Sequence, residues 1–189
     1  MTTHSTAAHA AAIPPLAQRT LDLEAINAMD RPAFVQALGA TFEHSPWVAE
    51  CAWSARPFAS VDAVHAAMFE VVQRAPQATQ LAFLRAHPEL AGREAQAHAL
   101  TDDSQREQAS AGLDAMSRDE MTRMSQLNRE YRERHGFPFV IAARRHTKAQ
   151  IFDEMRRRIG RDTGDELAEA MDQIAHITRG RLRALVPVR

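Results

Sequence analysis

The sequence predicts an all-α fold, a single-domain bundle of seven to eight helices with one extended segment that crosses the core. Apolar residues recur at helical spacing along almost the whole chain from Leu21 onward. Ser, Thr or Asp precedes most of these periodic segments, as helix N-caps do. Only Phe137–Ala143 is short, apolar and β-branched like a strand, and the sequence offers no second strand to pair with it.

Each predicted helix has its own start or stop signal. The expected N-terminal residues, in chain order, are Asp30, Ser45, Ser60, Thr101, Ser117, Thr147 and Thr163. The last three open capping boxes, because Glu or Gln follows three residues later. Pro88 is expected to end the helix before it, and Gly136 and Gly160 stand where C′ residues are found. Pro138 excludes Phe137–Ala143 from a helix interior, so we interpret that stretch as the extended segment.

Length and composition together define the domain organisation that we expect. The chain has 189 residues, which suits one domain, or one domain with a tail. Residues 1–20 are mainly Ala, Thr and His and include two consecutive prolines, so we expect a disordered N-terminal arm there. The all-helical domain is then expected over residues 21–189.

Composition also argues against several classes of partner. The formal net charge is −1, whereas binding to a phosphate backbone requires an excess of Lys and Arg. No stretch approaches the roughly 20 apolar residues of a membrane span. Cys51 is the only cysteine, and no pair of histidines has the spacing of metal ligands. We therefore expect no nucleic-acid partner, no membrane association and no metal site.

The first candidate for chemistry is His87. It lies at the end of a predicted helix, where the following Pro88 restricts its backbone. An imidazole titrates near neutrality, so a histidine held in place there is suited to act as a general acid or base. The alternative is a surface histidine at a helix terminus, which the sequence alone leaves open.

The second candidate is one face of the helix that Thr101 is expected to begin. Ser104, Glu107, Gln108 and Ala111 share this face through their helical spacing. A hydroxyl, a carboxylate and an amide beside small residues suit a site that hydrogen-bonds a polar ligand. A solvated face is the alternative.

Two further features have both a functional and a structural interpretation. Arg181 is in phase with the apolar stripe of the last helix, so it is either buried against an anionic partner or snorkels to the surface. Phe139–Ala143 lies outside regular structure, and its backbone groups bind either a planar polar ligand or ordinary neighbours.

Several motifs in series resemble the OHCU decarboxylase family. They are Phe42–Val48 (FEHSPWV), Ala86–Leu90 (AHPEL), Leu100–Leu113 (LTDDSQREQASAGL) and Gly136–Ile141 (GFPFVI). Shorter matches are Arg56–Phe58, Leu127-Asn128 with Tyr131, and Arg181-Leu182. The resemblance extends from about Leu21 to Leu185 with the motifs in order. It departs from the family pattern at His135 and at Arg144-Arg145.

The resemblance implies a cofactor-free, commonly homodimeric enzyme that decarboxylates 2-oxo-4-hydroxy-4-carboxy-5-ureidoimidazoline to (S)-allantoin in urate degradation. Its catalytic histidine maps onto His87, and Glu107 and Arg181 match residues that orient the substrate or this histidine. The positions that match substrate-contacting residues are Pro88, Ser104, Gln105, Arg106, Glu107, Gln108, Phe139, Val140, Ile141, Ala142 and Ala143.

The residues themselves agree with this chemistry. Loss of CO2 leaves an electron pair that the adjacent ring C=N of the substrate accepts, so no metal or pyridoxal is required. One histidine can take the hydroxyl proton or deliver a proton to the neighbouring carbon. A helical binding module is the alternative, yet a degenerate relative would be expected to have lost part of the polar set. A His/Glu metal bundle would need two Glu-x-x-His units, and the sequence has none.

Two features of the sequence bear on the location of the protein in the cell. The chain ends without a peroxisomal S-K-L signal, and 22 of its 23 basic residues are arginine, a bias typical of a GC-rich genome. These observations lead us to expect a bacterial, cytoplasmic protein.

Overall fold

A computed structural model describes residues 21–187. Over that range the chain forms α-helices and short 3-10 turns, and none of the described residues belongs to a strand. The all-α prediction is therefore confirmed. The predicted disordered arm at residues 1–20 lies outside the described residues and stays a prediction.

Ten α-helices make up the described part of the chain. They are α1 Leu23–Ala28, α2 Arg31–Leu38, α3 Trp47–Ala52, α4 Val61–Gln73, α5 Gln77–Arg85, α6 Arg93–Gln96, α7 Asp102–Ser110, α8 Arg118–His135, α9 Lys148–Ile159 and α10 Thr163–Leu185. Three 3-10 turns lie at Gly39–Thr41, Trp53–Ala55 and Ala143–Arg145. The count exceeds the predicted seven to eight because α1 and α6, with six and four residues, are too short to show a helical repeat in the sequence.

Most helix starts follow their predicted caps. The side chains of Asp30, Ser60 and Thr101 each accept a backbone N–H of the first turn. Ser117 and Thr147 form complete capping boxes with Glu120 and Gln150. Each cap satisfies an amide that the first turn of a helix otherwise leaves without a partner.

Two predicted N-caps are wrong. Ser45 does not cap α3, whose N-cap position is held by Pro46 without a side-chain hydrogen bond. Asp162, not Thr163, caps α10, and its carboxylate accepts the N–H of Gly164. Gly136 and Gly160 directly follow α8 and α9 as predicted, with φ of +79° at Gly136 and −81° at Gly160.

The extended segment crosses the core as predicted. Phe137–Ala143 is buried throughout and is non-helical up to the 3-10 turn that begins at Ala143. Its backbone finds side-chain partners: Arg158 Nη1 donates to the carbonyl of Val140 at 3.0 Å, and the Ala142 N–H donates to Gln173 Oε1 at 2.9 Å. These hydrogen bonds satisfy backbone groups that, in a sheet, would bond to a neighbouring strand.

Arg158 is fully buried and joins three helices to this segment. Its Nε donates to Glu166 Oε1 at 2.7 Å, and Tyr131 donates its hydroxyl to the same oxygen. The guanidinium also lies 4.5 Å from the ring centroid of Phe139, as a cation–π contact. Burial and the bond to the Glu166 carboxylate raise the pKa of Tyr131, so the phenol stays a donor. Glu166 thus serves the core, which explains why its capping-box pattern misled the sequence interpretation.

Helix packing places α10 beside α4 and α9 beside α8. On the surface of the second pair, Lys148 Nζ lies 2.7 Å from Glu120 Oε1. The hydrogen bond from Lys148 lowers the pKa of the Glu120 carboxyl. Lys148 is the only lysine in the sequence.

None of the helices in residues 21–187 is long and apolar enough to cross a membrane.

Replacement of Arg158 by Met is expected to lower the free energy of unfolding by about 3 kcal/mol, because the buried Glu166 would lose its fully buried partner and keep only the longer contact with Arg161 at 3.5 Å. The matched control is Arg157→Met, which removes an exposed pair with Glu154 and should cost less than about 1 kcal/mol. Urea unfolding followed by far-ultraviolet circular dichroism measures both. Equal losses in the two variants would show that Arg158 does not hold the core as described.

Candidate active site

His87 is buried at the end of α5, where its backbone N–H donates to the carbonyl of Leu84 at 3.1 Å. The residue is only 8% exposed, and its ring stands edge-on to Phe83 with centroids 5.5 Å apart. Neither ring nitrogen has a hydrogen-bond partner within the described part of the chain. The surface-histidine alternative is therefore wrong for His87. A buried polar group without a partner is costly, and such a group is a functional candidate.

The environment keeps this imidazole neutral. Burial lowers the pKa of His87 to about 4, an effect that the negative charge of Glu43 opposes and the positive charge of Arg181 reinforces. At neutral pH one ring nitrogen is then a proton acceptor and the other a donor. His87 is thus ready to accept a proton from a ligand that enters the cavity.

Helix α7 presents the predicted polar face to the interior. Ser104, Glu107 and Gln108 are buried and line the same cavity as His87. Gln108 Oε1 accepts the N–H of Ala91 at 2.8 Å, which fixes the loop after α5. Gln105 and Arg106 are exposed on the opposite side of α7 and do not line this cavity. The structure does not bring these two predicted positions to the site.

Arg181 is buried on α10 and makes a bidentate ion pair with Glu107. Its Nε lies 2.9 Å from Oε1 and its Nη2 lies 2.6 Å from Oε2. Nη2 also donates to Glu43 Oε2 at 3.2 Å and to Ser104 Oγ at 3.1 Å. The guanidinium therefore does not snorkel. Burial opposes its charge, but the bonds to Glu107 and Glu43 outweigh burial and raise the pKa of Arg181.

Glu43 also belongs to the site, although it is not among the predicted site residues. It is 2% exposed and follows the 3-10 turn Gly39–Thr41. It accepts hydroxyl donors from Thr101 and Ser104, both at 2.5 Å. Burial raises its pKa, but these bonds and the charge of Arg181 outweigh burial, so the pKa of Glu43 is lowered. The sequence signal that includes Glu43 is the motif Phe42–Val48, which resembles the family.

The extended segment forms the apolar wall of the cavity through Phe139, Val140, Ile141 and Ala143. Pro88 lines the opposite wall, whereas Ala142 faces a neighbouring cavity. The free space amounts to about 30 Å³, enough for one water molecule. Side chains must therefore separate before a larger ligand enters.

The chemistry of this donor set is that of acids and bases. A neutral imidazole, two carboxylates and one guanidinium surround the cavity. Across residues 21–187, no group of three or more His, Cys, Asp or Glu side chains is arranged to hold a metal ion. The site can accept, hold and return a proton, and it can donate hydrogen bonds to an oxygen-rich ligand.

An all-helical domain with a buried imidazole beside a carboxylate–guanidinium cluster defines a class of acid–base enzyme. A match to the family described as OHCU decarboxylase covers residues 27–183, most of the chain. The chain belongs to the OHCU decarboxylase family.

Named relatives and solved structures support this assignment. The chain is 44% identical to the 2-oxo-4-hydroxy-4-carboxy-5-ureidoimidazoline decarboxylase of Haloferax volcanii, with 86% of this chain and 94% of that protein covered. It is 39% identical to that of Mus musculus, with 88% and 93% covered. A crystal structure of (S)-allantoin synthase has a TM-score of 0.68 at 23% identity over 88% of this chain and 54% of that longer chain. OHCU decarboxylase in the presence of (S)-allantoin has a TM-score of 0.62 at 18% identity over 85% of this chain and 100% of that chain. At these identities the two solved structures show the fold.

The titration of His87 tests its buried state. In the unfolded chain the imidazole binds a proton below about pH 6.5, whereas in the native protein it does so only near pH 4. Native stability is therefore lost as the pH falls from 6.5 to 4, by up to about 3 kcal/mol from this residue. His87→Asn is expected to remove that part of the loss. Imidazole titration by NMR measures the pKa directly, and a value of 6.5 or higher would contradict the description.

Proposed function

We propose that this protein catalyses the decarboxylation of 2-oxo-4-hydroxy-4-carboxy-5-ureidoimidazoline to (S)-allantoin, without a cofactor and with His87 as the acid–base residue. The observation that carries the proposal is the buried, unpartnered imidazole of His87 beside the Glu43–Arg181–Glu107 cluster. The decarboxylase names of the Haloferax and mouse relatives support the reaction and its substrate.

The reaction needs few groups from the protein. The bond between the ring carbon and the carboxylate breaks, CO2 leaves, and the bonding electron pair forms a double bond to the neighbouring carbon. The electrons of the adjacent ring C=N move onto its nitrogen, so the electron sink lies in the substrate. The ring nitrogen then gains a proton from water, the hydroxyl group loses its proton to become a carbonyl, and the neighbouring carbon gains a proton. A neutral His87 can accept the first proton and return one to a single face of that carbon.

Arg181 suits a role in orientation. Its Nε and Nη2 are occupied by Glu107, Glu43 and Ser104, whereas no described side chain or carbonyl accepts a hydrogen bond from Nη1. Two carboxylates already balance its charge, which argues against a tight pair with the departing carboxylate, a contact that would stabilise the ground state. We place Nη1 at a ring or ureido oxygen, where it fixes the substrate or stabilises developing charge.

Homodimeric assembly and a cytoplasmic, bacterial location complete the proposal. The dimer rests on the family resemblance, and the location on the arginine-rich composition. The named relatives come from an archaeon and a mouse, so they leave the source of this chain open.

A helical binding module was the alternative function, and the joint burial of His87, Ser104, Glu107, Gln108 and Arg181 argues against it.

His87→Asn is expected to lower the rate of (S)-allantoin formation by about 10²–10⁴-fold, because the variant has no acid–base group at that position. His98→Asn is the matched control: His98 is exposed at a φ of +53°, a conformation that Asn tolerates. Optical rotation follows the reaction, since uncatalysed decay of substrate made from urate gives racemic allantoin. Undiminished enantiomeric excess from the folded His87→Asn variant would remove the mechanism.

Arg181→Ala is expected to reduce kcat/KM by about 10²-fold or more, as for loss of a hydrogen-bond donor that acts on the transition state. Arg129→Ala, an exposed change on α8 outside the cavity, is the control and should keep wild-type kinetics. Steady-state kinetics with freshly made substrate gives both values. A reduction within about twofold would refute the placement of Arg181 at the substrate.

A further inference from the structure

A second cavity adjoins the one that contains His87. It has a volume of about 420 Å³, within the usual range of small-molecule sites and much larger than the inner cavity. The two cavities share four lining residues, Glu107, Ala143, Ile177 and Arg181. These residues form the wall that separates the outer space from the inner one, so a molecule in the outer cavity is one side-chain layer from the site.

The outer cavity is strongly positive. Five arginines and two carboxylates, Asp103 and Glu107, line it, which gives a net charge of +3 when His176 is neutral. The arginines are Arg144, Arg145, Arg179, Arg181 and Arg183. The whole chain has a net charge of only −1, so positive charge is concentrated at this one concave surface.

Three of these five arginines form no salt bridge in the part of the chain that the structure describes. Arg181 pairs with Glu107, and Arg183 pairs with Asp62 at 3.0 Å. The other three are exposed and form no salt bridge with any residue between 21 and 187; they are Arg144, Arg145 and Arg179. Both exposed arginines on α9, Arg156 and Arg157, by contrast, pair with a carboxylate three positions earlier.

The backbone holds these unpaired charges next to the site. Arg144 and Arg145 belong to the 3-10 turn that begins at Ala143, a residue of the shared wall. Arg179 lies two residues before Arg181 on α10. A movement that separates the wall to admit a ligand would therefore also move the arginine-bearing turn.

We propose that this outer cavity, the arginine vestibule, captures a small organic carboxylate and delivers it to the inner cavity. The inference rests on the proposed function, whose substrate bears a carboxylate. The inner cavity holds only about 30 Å³, so the substrate must dock outside before the shared wall opens. Unpaired charges around a concave surface focus the potential and raise the local concentration of an anion. The exposed guanidiniums remain hydrated, so they attract the carboxylate without holding it tightly.

The kinetic test compares two double variants that each remove two exposed positive charges. Arg144→Gln/Arg145→Gln changes the vestibule, whereas Arg129→Gln/Arg134→Gln changes α8 outside both cavities. At low ionic strength we expect the first to lower kcat/KM about tenfold with kcat within about twofold of the wild type. Added salt should lower kcat/KM of the wild type and of the control, and much less that of the vestibule variant. Equal kcat/KM values and salt dependences in the two variants would overturn the proposal.

A binding measurement tests the arginine vestibule independently of catalysis. Titration of the wild-type protein with inorganic phosphate, followed by NMR of arginine Nε–Hε groups, is expected to shift Arg144, Arg145 and Arg179 saturably. Arg129 and Arg134 should shift little. Equal responses at all five would refute the vestibule. If the protein formed no (S)-allantoin yet showed the selective shifts, the proposed function would fail while the anion site stood.

Discussion

The bidentate ion pair between Arg181 and Glu107 is the contact on which the site depends. It joins α10 to α7, although the two residues are 74 positions apart in the sequence. Glu43 and Ser104 complete the set around the same guanidinium. Burying three charges is costly unless each is paired and hydrogen-bonded, and here the hydroxyls of Thr101 and Ser104 satisfy Glu43. The cluster is therefore preorganised before any ligand arrives.

His87 differs from every other member of the site because its neighbours leave it unbonded. A carboxylate in direct contact would raise its pKa, whereas burial, reinforced by the charge of Arg181, lowers the pKa and keeps the imidazole neutral. The structure thus separates two tasks. The ion-pair cluster fixes geometry and compensates charge, and the imidazole is left without a hydrogen-bond partner within the described residues. The apolar wall from Phe139 to Ile141 lines the cavity beside that imidazole.

The parts of the fold that depend on local sequence were predictable. N-caps such as Asp30 and Ser117 are recognisable because cap and amide lie within three residues of each other. Glu43 was not recognisable, since its partners Ser104 and Arg181 lie 61 and 138 residues away. Any feature made by packing between distant segments is absent from a local pattern.

The predicted site illustrates the same distinction within one helix. Helical spacing from Ser104 selects Glu107 and Gln108, and the structure buries both. The family resemblance added Gln105 and Arg106, which the same spacing directs outward, and both are exposed. The buried ion pair of Glu166 with Arg158 could not be predicted either, because an acidic residue three positions after a threonine suits both a helix cap and a core ion pair.

The surface pair between Lys148 and Glu120 has a practical consequence. Lys148 carries the only side-chain primary amine in the sequence and sits between α8 and α9, on the lining of neither cavity near the buried imidazole. An amine-reactive dye, cross-linker or sensor surface therefore has a single side chain to modify. Attachment there would tether the protein at a point that lies on neither cavity.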